Sequence, residues 1–155
     1  MNKNEKKKYI VLNKKIYHNF FIQKNIEAGI ILQGWEVKSL RLGNVTINNS
    51  YVNILPNGKI YLLNTKITPL ITHCSHVKYI CDRNKELLLH KKEIEFLQTY
   101  IKNKSFTIVV IGLYWKKSFC KANIAIAKGK KNFDKRNLLK LKEWNINKLR
   151  IKKYK

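Results

Sequence analysis

His73, Cys74, His76 and Cys81 place four side chains of zinc-binding type within nine positions. Structural zinc sites gather two short ligand pairs from separated turns, and neighbours such as His73 and Cys74 point apart, so the spacing argues against a shared ion. Acid–base or nucleophilic chemistry is no better served. The nine acidic residues are scattered, no glycine-rich phosphate loop occurs, and His18 and His90 have no Ser, Cys or Asp at a recognisable spacing. The sequence assigns no catalytic residue, no metal and no cofactor. Two features remain. Glu27 is an acid in a very basic chain, either an ordinary exposed strand carboxylate or an acceptor for donors on bases and sugars. Tyr114-Trp115-Lys116-Lys117 interleaves rings with ammonium groups, the mixture that stacks bases and meets phosphates, although aromatics at the end of a strand more often belong to the core.

The chain that must position these groups has 155 residues, 45% of them hydrophobic, enough for one folded domain plus an appendage. Thirty-three Lys and Arg stand against nine Asp and Glu, a formal net charge of +24. A/T-rich codon usage explains part of the Lys surplus. It explains the scarcity of counter-charges less well, and a polyanion, nucleic acid above all, is the expected partner. No run reaches the ~20 apolar residues of a membrane span, and Tyr9 to Leu12 is too short for a signal-peptide core. Three widely spaced cysteines, Cys74, Cys81 and Cys120, suit reduced thiols. A cytoplasmic location without membrane contact is expected.

Residues 1–12 read as a basic, disordered leader, with order beginning near Asn13. Tyr17 to Lys24 and Ile26 to Leu32 predict two strands meeting at a bend around Asn25. Gly34 to Leu42 predicts a helix packing Trp35, Val37 and Leu40 and stopping at Gly43. Tyr51 to Asn64 is a hairpin turning at Pro56-Asn57-Gly58. Residues 71–82 carry no decisive pattern, and Leu87, Ile94, Leu97 and Ile101 share one helical face. Phe106 to Trp115 and Phe119 to Ala127 predict two long central strands joined at Lys116-Lys117-Ser118. Antiparallel strands with few short helices point to a mainly β fold, a small barrel over residues 13–128 that removes exposed sheet edges.

From Gly129 the composition changes. The segment 129–155 holds 11 cations and only Asp134 and Glu143 as acids. Its apolar residues, Leu138, Leu139, Leu141, Trp144, Ile146, Leu149 and Ile151, wind around a helical wheel instead of forming one stripe. Such a tail is expected to fray alone and to order against a partner that neutralises it.

Several motifs carry a resemblance in consecutive order: Ile26-Glu27-Ala28-Gly29, then Leu32-Gln33-Gly34-Trp35-Glu36-Val37-Lys38-Ser39-Leu40-Arg41, Ser50-Tyr51-Val52, Ile67-Thr68-Pro69, Leu87-Leu88-Leu89, Leu113-Tyr114-Trp115-Lys116, Ala127-Lys128-Gly129-Lys130-Lys131 and Asp134-Lys135-Arg136. Together they resemble the SmpB family, the bacterial tmRNA-binding proteins of trans-translation, over about residues 13 to 151. The run Leu32 to Arg41 is the most specific. The resemblance implies an oligonucleotide-binding-type barrel that grips the tRNA-like domain of tmRNA and, with elongation factor Tu acting through charged tmRNA, delivers it to ribosomes stalled without a stop codon. It implies RNA contacts at Asn13, Glu27, Leu88 and Lys121, with basic support from Lys38, Arg41, Lys128, Lys130 and Lys131. It also implies a tail that becomes helical in the vacant decoding site and empty mRNA channel, through Phe133, Asp134, Lys135, Arg136, Trp144, Arg150 and Ile151. Three places depart from the family pattern. Phe133 stands where a stacking histidine is common, Lys152 where a Met is common, and Asp82 to Glu86 is shorter than the usual Arg-rich approach to the Leu triplet and lacks its Pro. A structural ribosomal protein and a small RNA-processing nuclease are the rival readings of so basic a chain.

Overall fold

The computed structural model describes residues 8–70, 79–102 and 105–153. In chain order the elements are β1 (Tyr9–Leu12), α1 (Lys15–Asn19), β2 (Phe20–Ile30), α2 (Gly34–Arg41), β3 (Val45–Thr46), β4 (Tyr51–Ile54), β5 (Ile60–Leu63), β6 (Lys66–Ile67), β7 (Lys85–Leu88), α3 (Lys91–Lys102), β8 (Phe106–Lys116), β9 (Phe119–Gly129) and α4 (Asn132–Lys153). The pairings β8-β4-β5-β7-β2-β9 return to β8, so an antiparallel ring closes, with β1 added along β8. Each strand of the ring has a neighbour on both sides, although β2 meets β7 only at Gly29 and Ile30, and the mainly β barrel expected from the sequence is present.

The near-continuous apolar character of β8 and β9 follows from burial on both faces. Ile108, Val110, Leu113, Ala122, Ile124 and Ile126 face the barrel interior with Ile26, Ala28, Leu62 and Leu97. Val109, Ile111, Ala125 and Ala127 face the other way, where Ile16 of α1 closes over them. In β2 the faces exchange at a bulge between Ile22 and Lys24. Phe20 and Ile22 pack on the α1 side, whereas Ile26 and Ala28 point into the barrel, as one inserted residue requires in a period of two.

Several expectations need correction. The two strands and bend predicted around Asn25 are one strand, β2, because the bulge absorbs the change of face without reversing the chain. Tyr17 lies in α1, not in a strand. Order begins ahead of Asn13, since Tyr9–Leu12 pairs with β8. Leu87 belongs to β7, and the helix starts only at Lys91. The buried face of α2 is Glu36, Ser39 and Leu40; Val37 remains half-buried. The hairpin β4–β5 forms as predicted, with Gly58 at φ +79° in its turn.

Glu36 owes its burial to charge pairing. The Arg83 guanidinium reaches its carboxylate at 2.9 Å and 2.5 Å, and the Lys85 ammonium lies 3.8 Å away. Lys85, 1% exposed, donates to the carbonyls of Thr65 and Arg83, each at 2.9 Å. Burial pulls its pKa down, against the pull of Glu36. Glu36 also accepts from the Gln33 backbone N–H at 2.8 Å and caps α2. The specific run Leu32 to Arg41 thus welds α2 to β7.

Candidate RNA-binding surface

Residues on β2, β8 and β9 that alternate with core positions point outward. Ile26 and Ala28 are interior, so Glu27 between them faces out, and the register sets it beside Asn123 of β9. Tyr114 of β8 pairs with Lys121 of β9. The Tyr114 hydroxyl donates to Glu27, while the ammonium groups of Lys116 and Lys121 each stand 3.2 Å from its carboxylate. Partial burial raises the Glu27 pKa, but the bonds from Tyr114, Lys116 and Lys121 outweigh it and bring the carboxyl down from 4.5 to about 2. Burial and the Glu27 charge together push the Tyr114 phenol up. At neutral pH the site is a fixed carboxylate framed by cations.

An open groove of about 590 Å³ runs beside it, lined by Glu27, Gly29, Ile30, Leu88, Leu89, His90, Glu93, Phe119, Cys120 and Lys121. Leu88 and Phe119 are exposed at 55% and 72%, too much apolar surface to be core. Gly29 keeps the floor close to Leu88, since a Cβ there would lie 3.3 Å from the Leu88 Cβ. A smaller groove shares Glu27 and Glu93 and adds Lys24, Lys92 and Phe96. Apolar faces, directed acceptors and flanking cations are the ingredients for holding RNA by shape and backbone. Burial raises the Cys120 thiol to about 12, which makes it a packing residue and not a nucleophile.

The groove brings together Glu27, Leu88 and Lys121 from three separate strands. Other predicted contacts lie elsewhere. Asn13 is 3% exposed, and its amide donates to the carbonyls of Ile47 at 3.3 Å and Asn48 at 3.0 Å, so it braces a loop. Lys38, Arg41, Lys128 and Lys131 are exposed and line neither groove. Lys130 donates to the Tyr17 carbonyl at 2.7 Å and covers the Phe21 ring, pinning the root of the tail to α1. Sequence reading passed over Phe119, Asn123 and Tyr9. Counting register back from the Lys117-Ser118 turn would have set Tyr114 opposite Lys121 and flagged the outward face.

The tail is already helical as α4, 22 residues long, where fraying was expected. Asp134 supports its start by accepting from the Lys131 backbone N–H at 3.0 Å. Packing, however, is missing as expected. Leu138, Leu139, Leu141, Trp144, Ile146, Leu149 and Ile151 are 40% to 66% exposed, and Phe133 is 70% exposed. Lys135 is half-buried and Arg136 and Arg150 are exposed. Of the zinc-type residues, His73, Cys74 and His76 lie outside the described residues. Among the described residues no His, Cys, Asp and Glu cluster could hold a metal, and no helix is long and apolar enough to cross a membrane.

A closed barrel with a cation-framed outer groove and a basic helical extension defines a nucleic-acid-binding barrel protein. The family described as SmpB protein matches residues 10–154, and the chain belongs to the SmpB family. A solved structure described as "tmRNA-SmpB: a journey to the center of the bacterial ribosome" is similar to it, with 32% identity, a TM-score of 0.65, and coverage of 83% of this chain and 93% of that one.

Proposed function

We propose that the protein is an RNA-binding adaptor of trans-translation, which binds the tRNA-like domain of tmRNA and delivers it to stalled ribosomes in the cytoplasm. Elongation factor Tu enters indirectly, through charged tmRNA, and the chain itself performs no catalysis. The observation that carries this reading is the convergence of Glu27, Leu88 and Lys121 in one outer groove of a chain in the SmpB family. Glu27 accepts from RNA donors, Leu88 and Phe119 offer apolar faces, and Lys121 meets phosphate. Lys38, Arg41, Lys128 and Lys131 add phosphate contacts. Asn13 and Lys130 act by bracing the fold. The tail, from Phe133, Asp134, Lys135 and Arg136 to Trp144, Arg150 and Ile151, reads ribosomal RNA in the decoding site and empty mRNA channel. The exposed apolar side chains of α4, set among its cations, support that role.

Sequencing the RNA that copurifies with the protein tests the reading. A single tRNA-like species is expected. A uniform sample of cellular RNA would reduce the chain to non-specific charge, and cleaved RNA would make it a nuclease.

A further inference from the structure

Strand β8 carries a bulge between Val110 and Gly112, after which Gly112 pairs with Asn123 and Tyr114 with Lys121. Gly112 therefore faces outward, on the side of Glu27. The Tyr9 ring of β1 lies directly over it: a Cβ at position 112 would stand 2.7 Å from Tyr9 Cδ1 and 2.7 Å from the Val11 carbonyl oxygen. No side chain fits there without moving β1. Seated on this glycine, Tyr9 meets the Tyr114 ring edge-on at 5.6 Å, and its hydroxyl accepts from the Asn123 amide at 2.8 Å. These are the two outward neighbours of Glu27, one donating to it and the other paired with it in the register.

We infer that Tyr9, seated on Gly112, is a positioning residue of the RNA groove, holding Tyr114 and Asn123 so that Glu27 presents a fixed acceptor to the RNA. The inference rests on the adaptor reading, and deepens it by tying β1 to selectivity. Tyr9 covers one side of Tyr114, so its loss admits water to the phenol and lets the ring turn from Glu27. Directed acceptance is the part of recognition that charge alone does not supply. Cations would still attract RNA, but without the fixed acceptor they would attract all RNA alike.

The test uses the full chain with Tyr9→Phe, Tyr9→Ala and Gly112→Ala. Tyr9→Phe keeps the ring and removes the hydroxyl acceptor. Binding to tmRNA and to bulk tRNA is measured at fixed salt, together with the titration of the Glu27 carboxyl by carbon NMR without RNA. Among the described residues, the titratable and charged groups around Glu27 include Tyr114 and Lys116 from β8, Lys121 from β9 and Lys24 on its own strand. His90, Lys92 and Glu93 line the same grooves from the α3 side. None of these is altered in the variants, and an upward shift of the Glu27 titration is the change that loss of the Tyr114 bond would produce. Tyr9→Ala and Gly112→Ala are expected to lower the preference for tmRNA over tRNA by about tenfold and Tyr9→Phe by about threefold. In the first two the Glu27 titration should move up from about 2 toward 4.5. Wild-type preference in Tyr9→Ala, or an unmoved Glu27 titration, would overturn the inference. If wild type itself shows no preference for tmRNA, the adaptor reading fails, while the titration still decides whether Tyr9 positions Tyr114. Should Tyr9→Ala lose β1 altogether, Tyr9→Phe decides: an unchanged preference there, with its ring still seated, contradicts the role of the Asn123 bond.

Discussion

Strand β8 and helix α4 are both rich in apolar residues, and only one of them finds cover. In β8 a period of two deals successive side chains to the barrel interior and to Ile16 of α1. In α4 the apolar residues fall at no single helical face, and each is at least 40% exposed. Apolar content is therefore no measure of core. What counts is whether the period of the pattern matches the period of the backbone. A barrel built this way can hold its shape without RNA, whereas the tail leaves its apolar side chains exposed among its cations.

Core substitution should sharpen the contrast most. Ile124→Ala, at a fully buried position, should cost about 2–5 kcal/mol of unfolding free energy. Chemical denaturation reads it, and Leu138→Ala in the tail should stay within about 0.5 kcal/mol of wild type. Comparable losses at both sites would mean that the tail is part of the core.

The next effect belongs to the ionic weld. Glu36→Ala strands Arg83 and the buried Lys85 ammonium, and should destabilise the barrel by about 3 kcal/mol. Glu36→Ala paired with Lys85→Met should recover part of that loss, a coupling the same denaturation curves would reveal.

Phe133→Ala should then weaken the tail's ribosomal function by about 1–3 kcal/mol, the worth of one stacked base, with Phe133→His retaining it. Stability should not change, because the ring is exposed. Tagging of a stalled nascent chain is the readout, and equal activity of the Ala variant and wild type would remove the stacking role.

The smallest effect is expected at Glu27. Glu27→Gln should lower selective tmRNA affinity about three- to tenfold even though it removes a negative charge from a basic site. Its pH signature has a definite sign. With the carboxyl lowered from 4.5 to about 2, the stability it contributes is complete above 4.5 and disappears as pH falls through about 2. Acid unfolding of Glu27→Gln should lack that component.

Much of this arrangement is legible in the chain. Pro56-Asn57-Gly58 announced its hairpin because the turn chemistry is local, and the runs around Tyr114 and Cys120 announced β8 and β9 because both faces are buried. The β2 bulge was not legible, since Gln23-Lys24-Asn25 looks like any polar bend and only pairing with β9 keeps it extended. Nor was the buried ion cluster, which joins Glu36 to Arg83 across 47 positions. In the groove, Glu27 stood out as a lone acid, but Tyr9 looked like the end of a leader. Its value depends on Gly112, whose missing side chain matters only once β1 lies across it.

The central claim is that barrel and tail do separate work, selecting tmRNA and reading the empty decoding site. Truncation after Lys131 removes nine of the 11 tail cations, so non-specific RNA binding should fall and its salt slope flatten. The decisive measurement compares, in a reconstituted system, selective binding to the tRNA-like domain with peptidyl transfer to tmRNA for the full and truncated chains. The account predicts a folded barrel that still selects tmRNA but no longer supports transfer. Loss of selective binding in step with transfer, with the barrel folded by circular dichroism, would place the tail in the primary RNA site and contradict it.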